Sequence, residues 1–104
     1  MERTIKPNDF AAIAETVRVL DVRRKEDRDA SNEAIEGAIW QDPTQIDQWL
    51  EAVPRQQAVV IYCVRGGSVS NSVVDRLQAA GVQARFIEGG IEGWQAAGGK
   101  VVAQ

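Results

Sequence analysis

The most strand-like segment of the chain is Ala58-Val59-Val60-Ile61-Tyr62, an unbroken apolar and aromatic run rich in β-branched residues. A run of that kind predicts a strand covered on both faces, as at the centre of a parallel sheet. Residues 17–22 predict an earlier strand and residues 83–87, which alternate weakly, a later one. Helical spacing fills the gaps between them. Asn8-Asp9 is suited to cap a short helix over 10–15, with Phe10, Ile13 and Ala14 on one side. Asp42-Pro43 supplies an N-cap and a proline at the first helical position, for a helix running to about residue 52 and burying Ile46, Trp49 and Leu50. Residues 69–80 place Val69, Val73, Leu77 and Ala80 on one stripe, which Val74 widens, and Gly81 is a natural stop. Glu88-Gly89-Gly90 predicts a tight turn before a last helix over 91–97. Residues 35–40 predict a turn leading into a short strand, and the charge-dense stretch 23–29 a surface loop or a frayed turn. Strands alternating with helices predict an α/β fold with a mostly parallel sheet. The 104 residues make one domain, 1–104, in the usual range of about 100–150.

Composition narrows the function classes. A net charge of -3 with mixed signs argues against a nucleic-acid partner. No stretch approaches the roughly 18–20 apolar residues of a membrane span, and the first residues carry no signal-peptide pattern. A cytoplasmic location is therefore expected, where a free thiol is the normal state. The chain has one cysteine, Cys63, so no internal disulfide forms. It has no histidine, which excludes a histidine base, a histidine metal ligand and a Cys–His dyad within the chain. Neither a metal nor a cofactor is expected.

Cys63 ends the central strand and opens the loop Val64-Arg65-Gly66-Gly67-Ser68, after which a helix begins. That order aims backbone N–H groups and the positive end of a helix dipole at one sulfur, which favours the nucleophilic thiolate. A free cysteine is by default a small buried hydrophobe. Here Gly66 and Gly67 remove two Cβ atoms where the chain turns around an anion or a sulfur adduct, and Ser68 is placed to cap the helix. The loop therefore predicts a backbone cradle for an anion. In open parallel sheets ligands bind beyond the carboxyl ends of the strands, where Asp21, Cys63 and Glu88 all fall. Phosphate or arsenate is one occupant. A cysteine phosphatase, however, grips it with an arginine six positions after the cysteine, and that position is Val69. Sulfane sulfur is the other occupant: a thiolate takes the outer sulfur of thiosulfate and releases sulfite without a general base. Arg65 is the cation to attract such a donor. Asp21 and Arg23 either reach the site or fix the loop after the early strand, and Trp94 either lines the pocket or belongs to the core. The charge run 23–29 is expected to be solvated, with the pocket rim or a protein-docking surface as the alternatives.

Four segments together resemble the single-domain rhodaneses, or thiosulfate sulfurtransferases. Leu20-Asp21-Val22-Arg23 is similar to the family's "DVR" motif, and Ile35-Glu36-Gly37-Ala38 to its "IPGA" segment. Val60-Ile61-Tyr62-Cys63 with the loop to Ser68 resembles its active-site strand and six-residue loop, and Glu88-Gly89-Gly90-Ile91-Glu92-Gly93-Trp94 its "GGxxxW" signature. The resemblance implies a three-layer α/β/α sandwich around a mostly parallel sheet of about five strands. It also implies Cys63 as the persulfide carrier, a small anionic donor such as thiosulfate, and a thiophilic acceptor such as cyanide or a thiol. A loop of this length resembles the sulfurtransferase branch rather than the related phosphatases, whose loop is one residue longer. The chain departs from the family at Ala34, where many members have a histidine that pairs with the strand-end aspartate. It departs again at Ser68, where the loop often ends in arginine. A persulfide carrier that relays sulfur between proteins is the second reading, and a cysteine phosphatase or arsenate reductase a remote third.

Overall fold

The computed structural model describes residues 2–104. Its strands are β1 (Thr4–Ile5), β2 (Arg18–Asp21), β3 (Glu33–Ile35), β4 (Ile39–Trp40), β5 (Val59–Tyr62), β6 (Ala84–Ile87) and β7 (Val101–Ala103). The helices are α1 (Pro7–Ile13), α2 (Lys25–Asp29), α3 (Ile46–Trp49), α4 (Ser68–Ala79) and α5 (Gly90–Ala96). A five-stranded sheet runs in the order β1-β6-β5-β2-β4 with every pairing parallel. The run 58–62 thus lies at its centre, and all of β5 is buried.

Period-two alternation of that strand divides the core. Val59 and Ile61 face one side with Leu20, Phe86, Val73, Val74, Leu77 and Trp49. Val60 and Tyr62 face the other with Phe10, Ile87, Ile91 and Trp94. Helices α3 and α4 therefore cover one face and α1 and α5 the other, which gives the three layers. Both faces of β5 exclude water, so its polar backbone is satisfied only by the neighbouring strands.

Several local expectations shift. Helix α1 starts at Pro7 rather than beyond Asn8-Asp9, because proline takes the first helical position and Lys6 the cap. Asp42 does cap, accepting from the Thr44 amide at 2.9 Å, but the stretch after it splits into two 3₁₀ turns around α3. Ser68 does not cap α4: Gly67 holds that position and Ser68 is already helical. The charge run contains α2 instead of a loop throughout. Strands β3 and β7 form a separate antiparallel pair, which joins the end of the chain to the segment after α2.

Candidate active site

Cys63 is the first residue past β5, at the carboxyl end of the central strand. The residue is 6% exposed. Two donors reach it: the Gly66 amide at 3.2 Å and the Ser70 hydroxyl at 2.9 Å. Among the described residues these are the hydrogen bonds to the sulfur, so its immediate shell is one backbone N–H and one hydroxyl rather than a ring of amides. Gly66 folds back toward the sulfur because its φ of +74° lies in the left-handed region. Ser70 is fully buried on α4, two residues beyond the loop. No motif marks it; only its phase on the helix, seven residues after the cysteine, turns it inward.

The glycine turn before α5 holds the loop in place. The Ile91 amide donates to the Cys63 carbonyl at 2.9 Å and the Glu92 amide to the Val64 carbonyl at 3.1 Å. In a trans peptide the N–H points opposite to the C=O. With both carbonyls turned toward α5, the Val64 and Arg65 N–H groups point away from it. Gly90 is indispensable to that contact. A Cβ there would lie 2.4 Å from the Cys63 carbonyl oxygen and 2.5 Å from the Val64 carbonyl, and its φ of +63° is also left-handed. At Gly67, by contrast, a Cβ would meet nothing within 4 Å.

A cleft of about 420 Å³ opens over the sulfur, and Arg24, Asp27, Arg65, Gly67 and Ser68 are among its walls. Arg65 stands on the rim as expected, but its side chain is 80% exposed and its Nε donates to Glu92 at 3.3 Å. Arg24 and Asp27 come from the charge run, so that run forms a pocket rim. Val69, at the position where a phosphatase has its arginine, is half-buried against the core and contributes no charge. Among the described residues no cluster of His, Cys, Asp and Glu side chains could hold a metal ion.

Four other candidate residues lie elsewhere. Asp21 and Arg23 form a buried ion pair, with side chains 3% and 2% exposed. Arg23 Nε donates to the carboxylate at 2.9 and 3.0 Å, Nη2 at 2.6 Å and the Arg23 amide at 3.0 Å. A fork this well matched explains why a residue in a charged stretch is buried. Burial alone would lower the Arg23 pKa, but the hydrogen bonds and charge of Asp21 leave it above its usual value. The guanidinium also stacks 5.6 Å from the Tyr62 ring centre and donates to Gln104. Burial, and after it the Asp21 charge, push the Tyr62 phenol well above its usual range. The pair thus anchors the chain just before Arg24 and stays out of the cleft. Ala34, where the resemblance leads one to expect a histidine, lies on β3, and the Asp21 carboxylate is held by Arg23. Trp94 is core: it packs edge-on to Phe10 at 5.1 Å and donates to the Lys100 carbonyl at 2.8 Å. Glu88 is exposed and accepts from Thr4 at 3.1 Å, away from the cleft.

Comparison with known proteins bears on the family and the fold. A sequence profile of the Rhodanese-like domain matches residues 6–97. No curated protein sequence matches significantly. Among solved structures, a rhodanese-related protein from Thermoplasma volcanium superposes with a TM-score of 0.88 at 24% identity, covering 99% of this chain and 100% of that one. A rhodanese-like domain protein from Staphylococcus aureus gives 0.77 at 25% identity, with 89% and 91% covered. The rhodanese-like domain of an Anabaena protein gives 0.82 at 20% identity, with 100% and 81% covered. With the profile spanning most of the chain and the thiol loop at the carboxyl end of the central strand, the chain belongs to the Rhodanese-like domain family, whose general chemistry is sulfur transfer.

Proposed function

We propose that this protein is a sulfurtransferase that carries sulfane sulfur from thiosulfate, or a similar anionic donor, to a thiophilic acceptor through a persulfide on Cys63. The observation that carries this reading is the Cys63 sulfur held by Gly66 and Ser70 at the floor of a cleft with arginines on its rim. The Cys63 thiolate attacks the outer sulfur of thiosulfate. The new bond joins the two sulfurs, the old sulfur–sulfur bond breaks, and sulfite leaves with its electron pair. Cyanide or a thiolate then attacks the outer sulfur of the persulfide and restores the Cys63 thiolate. No step needs a histidine, in keeping with a chain that has none. Arg65 and Arg24 attract the dianionic donor, and the Gly66 amide and Ser70 hydroxyl steady the sulfur anion between steps. The cytoplasm, where free thiols persist, suits this chemistry.

Cys63→Ser abolishes thiocyanate formation from thiosulfate and cyanide; a retained rate removes the reading. The exposed, charged rim of Arg24, Asp27 and Arg65 also favours protein-to-protein relay through the same intermediate. Fast persulfide transfer from a cysteine desulfurase alongside slow thiosulfate turnover would select that role.

A further inference from the structure

Two walls of the cleft over Cys63 come from α2: Arg24 at its N-cap and Asp27 within it. That helix is poorly held by its own sequence. It has five residues, none of them buried, and no side chain caps its start. A helix this short is not stable on its own. Its Lys25–Asp29 ion pair joins the helix only to itself. Trp40 ties one side of it, donating from Nε1 to the Arg23 carbonyl at 2.9 Å and lying 4.9 Å from the Arg28 guanidinium. The carboxyl end is met by Gln104. Gln104 Nε2 donates to the Arg28 and Ser31 carbonyls, and its Oε1 accepts from Arg23 Nη2 at 3.1 Å. A guanidinium only donates and a carbonyl only accepts, so the three partners together require both the donor and the acceptor of an amide. The segment behind Gln104 is firmly placed. Strand β7 pairs with β3, the Gln104 amide donates to the Asn32 carbonyl at 3.0 Å, and Val101 packs on the cluster around Phe10 and Trp94. Gln104 thus links a loosely held helix to an anchored strand and satisfies carbonyls that a helix end leaves open.

We propose that Gln104 is a positioning residue for the cleft: capping α2 from β7, it keeps Arg24 and Asp27 over the Cys63 sulfur and so fixes the charges that an incoming anion meets. Gln104 itself is not among the walls of the cleft and acts through those two side chains. The consequence for thiosulfate binding rests on the Cys63 sulfur-transfer reading; the hold on α2 does not. Arg24 and Asp27 carry opposite charges, so a loosened helix withdraws both. The signature is therefore a loss of each residue's influence on the thiol rather than a change in net charge. Glutamate at position 104 serves Arg23 but gives the two carbonyls no donor.

The test reads the ratio of Cys63 alkylation rates with iodoacetate and iodoacetamide at low salt. Both reagents attack the same thiolate and differ in charge, so the ratio reports the rim charges and cancels changes in the thiol itself. With Gln104 in place, Arg24→Gln lowers the ratio and Asp27→Asn raises it, each about three-fold, the scale of one exposed charge. In the Gln104→Ala background both changes shrink to less than about 1.5-fold, because the rim no longer stands over the sulfur. Rim substitutions that keep their full effect beside Gln104→Ala, or that have none beside Gln104, overturn the proposal. Amide exchange gives a readout free of cysteine chemistry. The Arg28 and Ala30 amides, which bond within α2, exchange at least about three-fold faster in Gln104→Ala and in Gln104→Glu, while Ile61 in the central strand does not change. Unchanged exchange in either variant overturns the capping role. Gln104 is exposed, and melting of each variant close to that of the unaltered protein separates these outcomes from misfolding. The thiosulfate KM follows the same pattern, sensitive to Arg24→Gln beside Gln104 and insensitive beside Gln104→Ala. An unaltered protein that turns over no thiosulfate while the alkylation pattern holds overturns the sulfur-transfer reading and leaves the role of Gln104 standing.

Discussion

At Cys63 the sulfur is held from two sides, by the Gly66 amide and by the Ser70 hydroxyl 2.9 Å away. Hydrogen bonds to a charged group contribute about 1.5–3 kcal/mol. Ser70→Ala removes one of the two donors without touching the loop. The expected result is a fall of about ten- to a hundred-fold in kcat/KM with thiosulfate. A parallel slowing of Cys63 alkylation by iodoacetamide is expected at an unchanged fold. Unchanged rates would reduce the hydroxyl to a packing partner. The place of the cysteine, at the carboxyl end of the central strand, was legible because an unbroken apolar run before it and a glycine loop after it leave few other positions. Ser70 was not, since a serine inside a helix has no sequence signature until the helix phase is known. Arg23 lies in the run expected to be solvated, and of its two readings the pairing with Asp21 that fixes the loop is the one the structure bears out. Its burial depends on Asp21 two residues earlier presenting a carboxylate in the same orientation, a tertiary fact that local charge density conceals.

Among the elements, the Gly89-Gly90 turn and the thiol loop act as one unit. Two amides from α5 fix the loop carbonyls, and Gly90 lets the backbones approach that closely. Gly90→Ala forces a Cβ against the Cys63 carbonyl and holds a non-glycine residue at left-handed φ. Overpacking costs about 1–3 kcal/mol and the strained backbone a similar amount. For a domain of this size the melting temperature should drop by about 10 °C or more, with activity lost. Gly67→Ala, whose Cβ meets open space, should melt close to the unaltered protein. Equal melting of the two variants would mean that the turn does not brace the loop. The long periodic elements, β5 and α4, were readable from their patterns. The short ones, β1 and β7, were not, because two or three residues carry no period and owe their pairing to neighbours distant in sequence.

Over the whole molecule, the buried Asp21–Arg23 pair joins the end of β2 to the Tyr62 ring and to Gln104 at the end of the chain. Removing one partner strands the other charge in the interior, which costs about 3–5 kcal/mol. A domain has only about 5–15 kcal/mol in total. Asp21→Ala should therefore shift urea unfolding sharply to lower concentration, and Asp21→Ala with Arg23→Leu should recover part of the loss. A small effect of Asp21→Ala would show that the pair is not structural. The architecture was legible because strand–helix alternation and a doubly buried central strand leave few arrangements besides a parallel sheet with helices on both faces. The cleft rim was not, since Arg24 and Asp27 reach it only through the short helix that the buried pair and Trp40 hold above the thiol loop. The account stands or falls on whether that loop carries sulfur. Intact mass after incubation with thiosulfate should rise by one sulfur, about 32 Da, fall back on adding cyanide, and stay constant in Cys63→Ser. No gain in the unaltered protein, or the same gain without Cys63, would contradict it.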